Sequence, residues 1–147
     1  MAQVEIVRAT WRDARALAQL DRRCFSRVDA FSGFTFLGLC LWPDVVAVKA
    51  MADGKIVGFV AGDLRRRRGH IVIVTLSVDP AWRRRGIAER LMRECEARFN
   101  RTVFRLQVRK SNTPAIQLYK KVGYSIIGTL PGYYEDEDGY LMEKKVR

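Results

Sequence analysis

Residues 71–78 read Ile-Val-Ile-Val-Thr-Leu-Ser-Val, a run that is nearly all apolar and mostly β-branched. Branching at Cβ stiffens χ1 and suits a pleated surface. A strand without polar alternation is buried on both faces, so it needs cover on both sides. That requirement alone points to a layered α/β fold. Asp79-Pro80 then punctuates the strand, and Arg83-Arg84-Arg85-Gly86 leads into a second pattern. Ile87, Leu91, Cys95 and Phe99 recur every four residues, with Ala88 and Met92 beside them, as on one face of a helix running from Gly86 to about Phe99. The first amides of a helix lack partners within it and carry the positive end of its dipole. A phosphate can accept several of them together. Gly86 lets the backbone approach an anion closely, and the three arginines add positive charge. The strand–turn–helix segment is thus a candidate pyrophosphate cradle. It has neither the G-x-x-x-x-G-K-[ST] of a nucleotide P-loop nor the G-x-G-x-x-G of a dinucleotide site.

The chain has 147 residues, enough for one domain with a sizeable core. Its formal net charge is +11, mostly from arginine. That charge favours an acidic partner: a nucleotide-like cofactor, an acidic peptide or a nucleic acid. A thermophilic or high-GC coding bias accounts equally well for much of the excess. Cys24, Cys40 and Cys95 are widely spaced and odd in number, and His70 is the single histidine. Neither a disulfide framework nor a metal site is expected. Free thiols fit a reducing, cytoplasmic setting. The first residues show no basic-then-apolar leader. The apolar run 34–42 falls well short of the ~20 residues that cross a bilayer, so no membrane contact is expected.

Periodicity places the remaining elements. Gln3–Arg8 alternates like a half-exposed strand. Thr10 with Asp13 resembles a capping box ahead of a Trp11–Cys24 helix, whose stripe is Ala14, Leu17, Leu20 and Cys24. Phe25–Trp42 is aromatic and fits a short helix with loops. Asp44–Met51 and Lys55–Leu64 read as strands joined by an Asp53-Gly54 hairpin turn. Thr102–Val108 is a further strand. Asn112-Thr113-Pro114 opens a helix that ends at Gly123, its inward face formed by Ala115, Leu118, Tyr119 and Val122. Tyr124–Leu130 and Tyr140–Lys145 close the chain as strands. The order β-α-(α)-β-β-β-α-β-α-β-β describes one mixed α/β domain over 1–147.

Arg83-x-x-Gly86-x-Ala88 resembles the [QR]-x-x-G-x-[GA] loop of the GNAT acetyltransferases, which holds the pyrophosphate of acetyl-CoA. Leu106-x-Val108-x-x-x-Asn112-x-x-Ala115-x-x-Leu118-Tyr119-x-x-x-Gly123-Tyr124 resembles a second block of the same family. The resemblance covers roughly 55–142, with weaker support from the N-terminal strand and helix. The tail, Gly132-Tyr133-Tyr134 with acidic residues 135–138 and then Tyr140-Leu141-Met142, is similar to RimI-like and archaeal protein N-terminal acetyltransferases.

The resemblance implies a mixed sheet of six to seven strands flanked by about four helices, with strands splayed at the cofactor site. It implies acetyl-CoA as cofactor and no metal. Backbone groups of Leu76, Ser77 and Val78 would hold the pantetheine arm, and the Leu76 N–H would polarise the thioester carbonyl. Arg83, Arg84, Arg85, Gly86, Ile87, Ala88 and Glu89 would hold the pyrophosphate. Asn112 would bond the pantetheine region, and Tyr119 would give a proton to the leaving thiolate. Tyr133 and Tyr134, on a loop before the last strand, would hold the acceptor. Phe25, Val28 and Phe31 offer an apolar pocket for its first side chain.

Each assignment has a plainer alternative. Asn112 can simply cap its helix, Tyr119 can be a core tyrosine, and Tyr133 and Tyr134 can pack a hairpin. RimI-like sequences often carry Glu where Gln107 stands, and an amide is no general base. An α-amine, of pKa about 7.7–8.0, is roughly one-tenth neutral near pH 7, whereas lysine is not. Gln107 therefore favours an N-terminal acceptor, protein or ribosomal, over a lysine. His70 and Glu135 are fallback bases. A small-amine acetyltransferase using the acidic 135–138 run is an alternative. So is a non-enzymatic basic module for nucleic acid or ribosomes.

Overall fold

The computed structural model describes residues 3–25 and 30–146. The elements follow the expected order. They are β1 (Glu5–Arg8), α1 (Ala14–Cys24), α2 (Gly33–Leu41), β2 (Val45–Ala52), β3 (Lys55–Arg65), β4 (His70–Val78), α3 (Ile87–Ala97), β5 (Val103–Arg109), α4 (Thr113–Lys121), β6 (Ser125–Tyr134) and β7 (Glu137–Lys145). Short 3₁₀ turns at Trp11–Asp13 and Pro80–Trp82 lead into α1 and toward α3. The sheet order is β1-β2-β3-β4-β5-β7-β6. Backbone contacts gather into two compact units, Met1–Asp63 with Val74–Phe99, and Leu64–Ile73 with Asn100–Arg147.

In the first unit, β1 pairs antiparallel with β2, and β2 with β3. The β2–β3 turn is Asp53-Gly54, with φ of 52° and 72°. Two successive left-handed residues make the turn whose twist matches the flanking strands, and Asp-Gly is suited to it. The Trp11–Cys24 helix expected from sequence divides in two. Thr10 and Asp13 form a capping box around a 3₁₀ turn, and α1 begins at Ala14. Asp13 also receives Lys49 Nζ at 2.9 and 3.0 Å, which ties this turn to β2. Leu17, Ala18 and Leu20 of α1 are buried with Phe36 of α2, Val45 and Ala47 of β2, and Phe59 and Ala61 of β3. Phe36 is the fully buried residue of α2, and Phe34, Leu41 and Trp42 stand exposed.

α3 lies close against β3 at Gly58. A Cβ there would meet Leu91 Cδ1 at 2.9 Å, Ile87 Cγ2 at 3.3 Å and the Ser77 carbonyl at 3.3 Å. Ile87, Leu91, Met92 and Cys95 are the buried face of α3, as the periodicity predicts, whereas the helix ends at Ala97 and Phe99, expected on the same stripe, lies past it and is half-buried.

In the second unit, β4 and β5 run parallel, with Ile71 opposite Phe104 and Val72 opposite Arg105. β5 then pairs antiparallel with β7, and β7 with β6. Phe104, Leu106 and Val108 of β5 are buried, while Val103, Arg105, Gln107 and Arg109 share the half-buried face. In α4 the fully buried residue is Ile116, outside the inward face expected from sequence. Val122, just past α4, is also buried, and Ala115, Leu118 and Tyr119 are half-buried. Cys24, Cys40 and Cys95 are free thiols.

Candidate functional site

The turn between β4 and α3 combines one side-chain cap, at Asp79, with unusual backbone before α3. Asp79 Oδ1 accepts the Ala81 N–H at 3.0 Å and starts the 3₁₀ turn Pro80–Trp82. Arg84 has φ +64° and Gly86 φ +75°. A left-handed conformation costs a non-glycine residue about 1–2 kcal/mol, so the turn holds strain at Arg84. Gly86 is the N-cap of α3, and no side chain caps that helix. Its carbonyl accepts the Arg90 N–H at 3.1 Å, the first helical bond. The amides of the first turn follow this residue, and open space lies where a Gly86 Cβ would point, with nothing within 4 Å. An uncapped eleven-residue helix approached through two left-handed residues and flanked by exposed arginines fits a diphosphate. Strain at residue 84 was not legible, because nothing in an Arg-Arg-Arg run marks its middle residue as left-handed.

The arginines differ in their engagement. Arg83 Nε donates to the Val78 carbonyl at 3.1 Å. The Arg85 guanidinium lies 4.5 Å from the centre of the Trp82 ring. The Cys24 thiol also donates to the Val78 carbonyl, at 3.3 Å. Both lone pairs of that carbonyl are therefore taken within the chain. Burial pushes the Cys24 thiol upward despite the nearby Arg83, which leaves it a weak nucleophile. Ser77 is buried and donates its hydroxyl to Asp21 at 3.0 Å. Leu76 and Ala88 are half-buried and Glu89 is half-buried, whereas Ile87 is a core residue.

Phe25 and Phe31 are both half-buried. Phe31 packs edge-on to Phe36 at 6.0 Å, so part of its ring belongs to the core. Val28 lies outside the described residues.

A second constellation stands in the other unit. Asn112 caps α4, its Oδ1 accepting the Ala115 N–H at 3.2 Å. Tyr119 on α4 is half-buried, and loss of hydration pushes its phenol up to about 12, with Tyr134 adding to the rise. Tyr133 and Tyr134 are not on a loop. They are the last residues of β6, because Tyr134 pairs with Glu137 across a two-residue turn, Glu135-Asp136. Their rings meet edge-on at 5.0 Å, and Tyr133 remains 53% exposed. Gly139 makes room for the pair, since a Cβ there would stand 3.1 Å from Tyr134 Cε2.

Arg109 organises this corner. Its guanidinium lies 4.4 Å from the Tyr134 ring centre and bonds Asp136 at 2.6 Å and Glu137 at 3.1 Å. Ser111 donates its hydroxyl to Glu137 at 2.7 Å. Those donors hold the Asp136 and Glu137 carboxyls below their ordinary range, Arg109 leading for the first and Ser111 for the second. Asp138 accepts the Gly132 N–H at 2.8 Å. The acidic run thus pins the hairpin. Sequence reasoning missed Arg109, Ser111 and Glu137; their signals were the Arg109-Lys110 pair ahead of Asn112 and an acidic run read as solvated. Gln107 is half-buried on β5, opposite Leu141. His70 is buried, and burial, then Arg105, lower its imidazole, consistent with a structural role. Glu135 is exposed.

An open groove lined by Glu5, Asp53, Arg90, Arg93 and Glu94, among others, contains none of the expected site residues. Among the described residues no cluster of three or more His, Cys, Asp or Glu side chains is arranged for a metal ion. None of the helices described is long and apolar enough to cross a membrane.

Residues 14–124 match the acetyltransferase (GNAT) family. The chain belongs to that family. It is 38% identical over 115 residues to N-alpha-acetyltransferase 20 of Dictyostelium discoideum, covering 72% of this chain and 65% of that protein. It is 33% identical over 146 residues to the N-alpha-acetyltransferase RimI of Mycobacterium tuberculosis, covering 96% of this chain and 92% of that one. The chain therefore spans about two thirds of the first of these relatives and nearly all of the second. Its fold matches the crystal structure of the ribosomal-protein-S18-alanine N-acetyltransferase from Escherichia coli with a TM-score of 0.86 at 23% identity, over 98% of this chain and 94% of that one. The mixed seven-stranded sheet with four helices is thus a GNAT fold, as the two motifs implied.

Proposed function

We propose that the protein transfers an acetyl group from acetyl-CoA directly to the N-terminal α-amine of a protein or peptide, both substrates being bound together. The observation that carries this reading is the uncapped start of α3, entered through left-handed Arg84 and Gly86, in a member of the GNAT family. Acetyl-CoA, when bound, supplies the acyl group as a thioester.

The residues divide the work. Arg83, Arg84 and Arg85 supply charge, and the amides of Gly86, Ile87, Ala88 and Glu89 take the diphosphate. On β4, the Leu76 N–H is assigned to the acyl carbonyl oxygen, where a preorganised donor favours developing negative charge. Ser77 and Val78 lend backbone groups to the pantetheine arm. With its carbonyl already doubly bonded, Val78 contributes through its N–H. Asn112 spends Oδ1 on its helix, so its amide nitrogen is the group assigned to the cofactor. Tyr119, with a phenol pushed up to about 12, stays protonated across the working range and holds a proton for the departing sulfur.

Phe25, Val28 and Phe31, and in the other unit Gln107, Tyr133 and Tyr134, are assigned to the acceptor. Three features support an α-amine over a small polyamine or a lysine. Asp136, Glu137 and Asp138 are spent on Arg109, Ser111 and the Gly132 amide. Gln107 supplies no base, and an α-amine needs little. The relatives described above are named for N-alpha acetylation. A ribosomal protein or nascent chain in the cytoplasm is the acceptor class this reading favours.

The test is release of free thiol from acetyl-CoA against a panel of peptides with different first residues, with lysine and spermidine as controls. Turnover on one or more peptides above both controls is expected. Turnover on spermidine alone would replace this reading with a small-amine enzyme. Tight, steeply salt-dependent RNA binding without thiol release would favour the basic binding module.

A further inference from the structure

We infer that Asp21 is a positioning residue that couples acceptor binding to the strand carrying Leu76. The inference rests on the proposed acetyl transfer and extends it to a residue with no assigned part. The last turn of α1 is fastened to residues 77–79 at three successive points. Asp21 Oδ1 accepts the Ser77 hydroxyl at 3.0 Å. The Cys24 thiol donates to the Val78 carbonyl at 3.3 Å. Arg23 pairs with Asp79 at 3.2 Å. The other Asp21 oxygen, Oδ2, accepts the Phe31 N–H at 2.8 Å. One carboxylate therefore holds both the amide of an acceptor-pocket residue and the side chain next to Leu76.

The energetics favour a geometric role over a stabilising one. Asp21 is 1% exposed, and its bonds go to neutral donors, a hydroxyl and an amide. Burying a carboxylate among neutral groups is costly, and loss of hydration is the largest influence on this one, pushing it up. A neutral side chain would fill the space at lower cost. What two carboxylate oxygens add is a fixed separation between Phe31 and Ser77. Movement of the Phe31 backbone on acceptor binding then reaches Ser77, and through it the orientation of the Leu76 N–H.

The test compares wild type with Asp21→Ala, Asp21→Asn and Ser77→Ala. For each, kcat and acceptor KM are measured, together with coenzyme A affinity and thermal unfolding. Loss of a buried bond to a charged acceptor is expected to raise the acceptor KM of Asp21→Ala about tenfold or more, with a fall in kcat. Its coenzyme A affinity stays close to wild type. Asn keeps an oxygen for the Phe31 amide and can donate to the Ser77 hydroxyl, so Asp21→Asn recovers most of the acceptor KM. Ser77→Ala cuts only the strand half and lowers kcat more than it changes KM. A folded Asp21→Ala protein with wild-type kcat and acceptor KM overturns the coupling. Should that variant fail to fold, Ser77→Ala with unchanged kcat, or Asp21→Asn without recovery, overturns it. Wild-type protein that neither binds coenzyme A nor releases thiol overturns acetyl transfer itself, and the coupling with it. The two failures are distinct.

Discussion

Replacing Gly86 with alanine separates the cost of backbone conformation from the cost of steric clash. Gly86 has φ 75° and ψ 11°, and nothing lies within 4 Å of the position its Cβ would take. The substitution therefore meets no atom and carries only the left-handed penalty, about 1–2 kcal/mol. In a domain of about 150 residues each kcal/mol lowers Tm by roughly 2–4 °C, so a fall of roughly 2–8 °C is expected. Circular dichroism without ligand measures it. Asparagine tolerates this conformation better, so Gly86→Asn should recover part of the loss. Calorimetry with coenzyme A reports the other consequence: relaxation of the turn reorients the first amides of α3, and affinity falls. Gly58→Ala is the opposite case. There the backbone is ordinary, but the new methyl meets Leu91 Cδ1 at 2.9 Å and the Ser77 carbonyl at 3.3 Å. Overpacking of that kind costs about 1–3 kcal/mol. Gly86→Ala with the Tm and coenzyme A affinity of wild type would refute the account of the cradle as conformationally set.

Tyr119→Phe should lower kcat about 10²-fold or more while coenzyme A affinity, read by calorimetry, is retained; undiminished turnover removes the proton-donor role. Gln107→Glu should raise activity on lysine acceptors more than on α-amines, because only lysine needs a strong base. Equal gains in the thiol-release assay would undo the argument from Gln107. His70 gives a pH dependence of stability. Its imidazole is lowered from 6.5, so the unfolded chain binds the proton more readily than the folded one. The stability from neutral His70 is complete above that value and is lost as pH falls through the folded pKa. His70→Gln should flatten the slope of Tm between pH 7 and acid, and an unchanged slope shows that other groups cause it.

Much of the fold was legible because its strongest signals are local. The Asp53-Gly54 turn, the Thr10–Asp13 capping box, the Asn112 cap and the four-residue stripe of α3 each follow from a few neighbouring side chains. Where local signals conflict, tertiary pairing and packing decide. Tyr133 and Tyr134, expected on a loop after a strand ending at Leu130, lie in β6 because pairing with β7 resumes at Tyr134 after a register shift. Ile116 rather than Tyr119 is the buried anchor of α4, since packing decides which side of a weak stripe faces inward. At the candidate site, the cradle, Asn112 and Tyr119 were visible as motifs. Their supports were not. Asp21, Arg109 and Glu137 act through partners 10 to 56 positions away, and sequence spacing carries no trace of such distances.

The order of residues alone determined the element sequence and marked the strand–turn–helix segment proposed to bind a diphosphate, because dihedral preferences, apolar period and side-chain identity are properties of short segments. Tertiary structure decided which charges are spent. It showed that the acidic 136–138 stretch is consumed by Arg109, Ser111 and Gly132, that the Val78 carbonyl is already occupied, and that a buried carboxylate joins Phe31 to Ser77. Hydrogen bonds between remote segments depend on the path of the folded chain, so they exist only once it has folded.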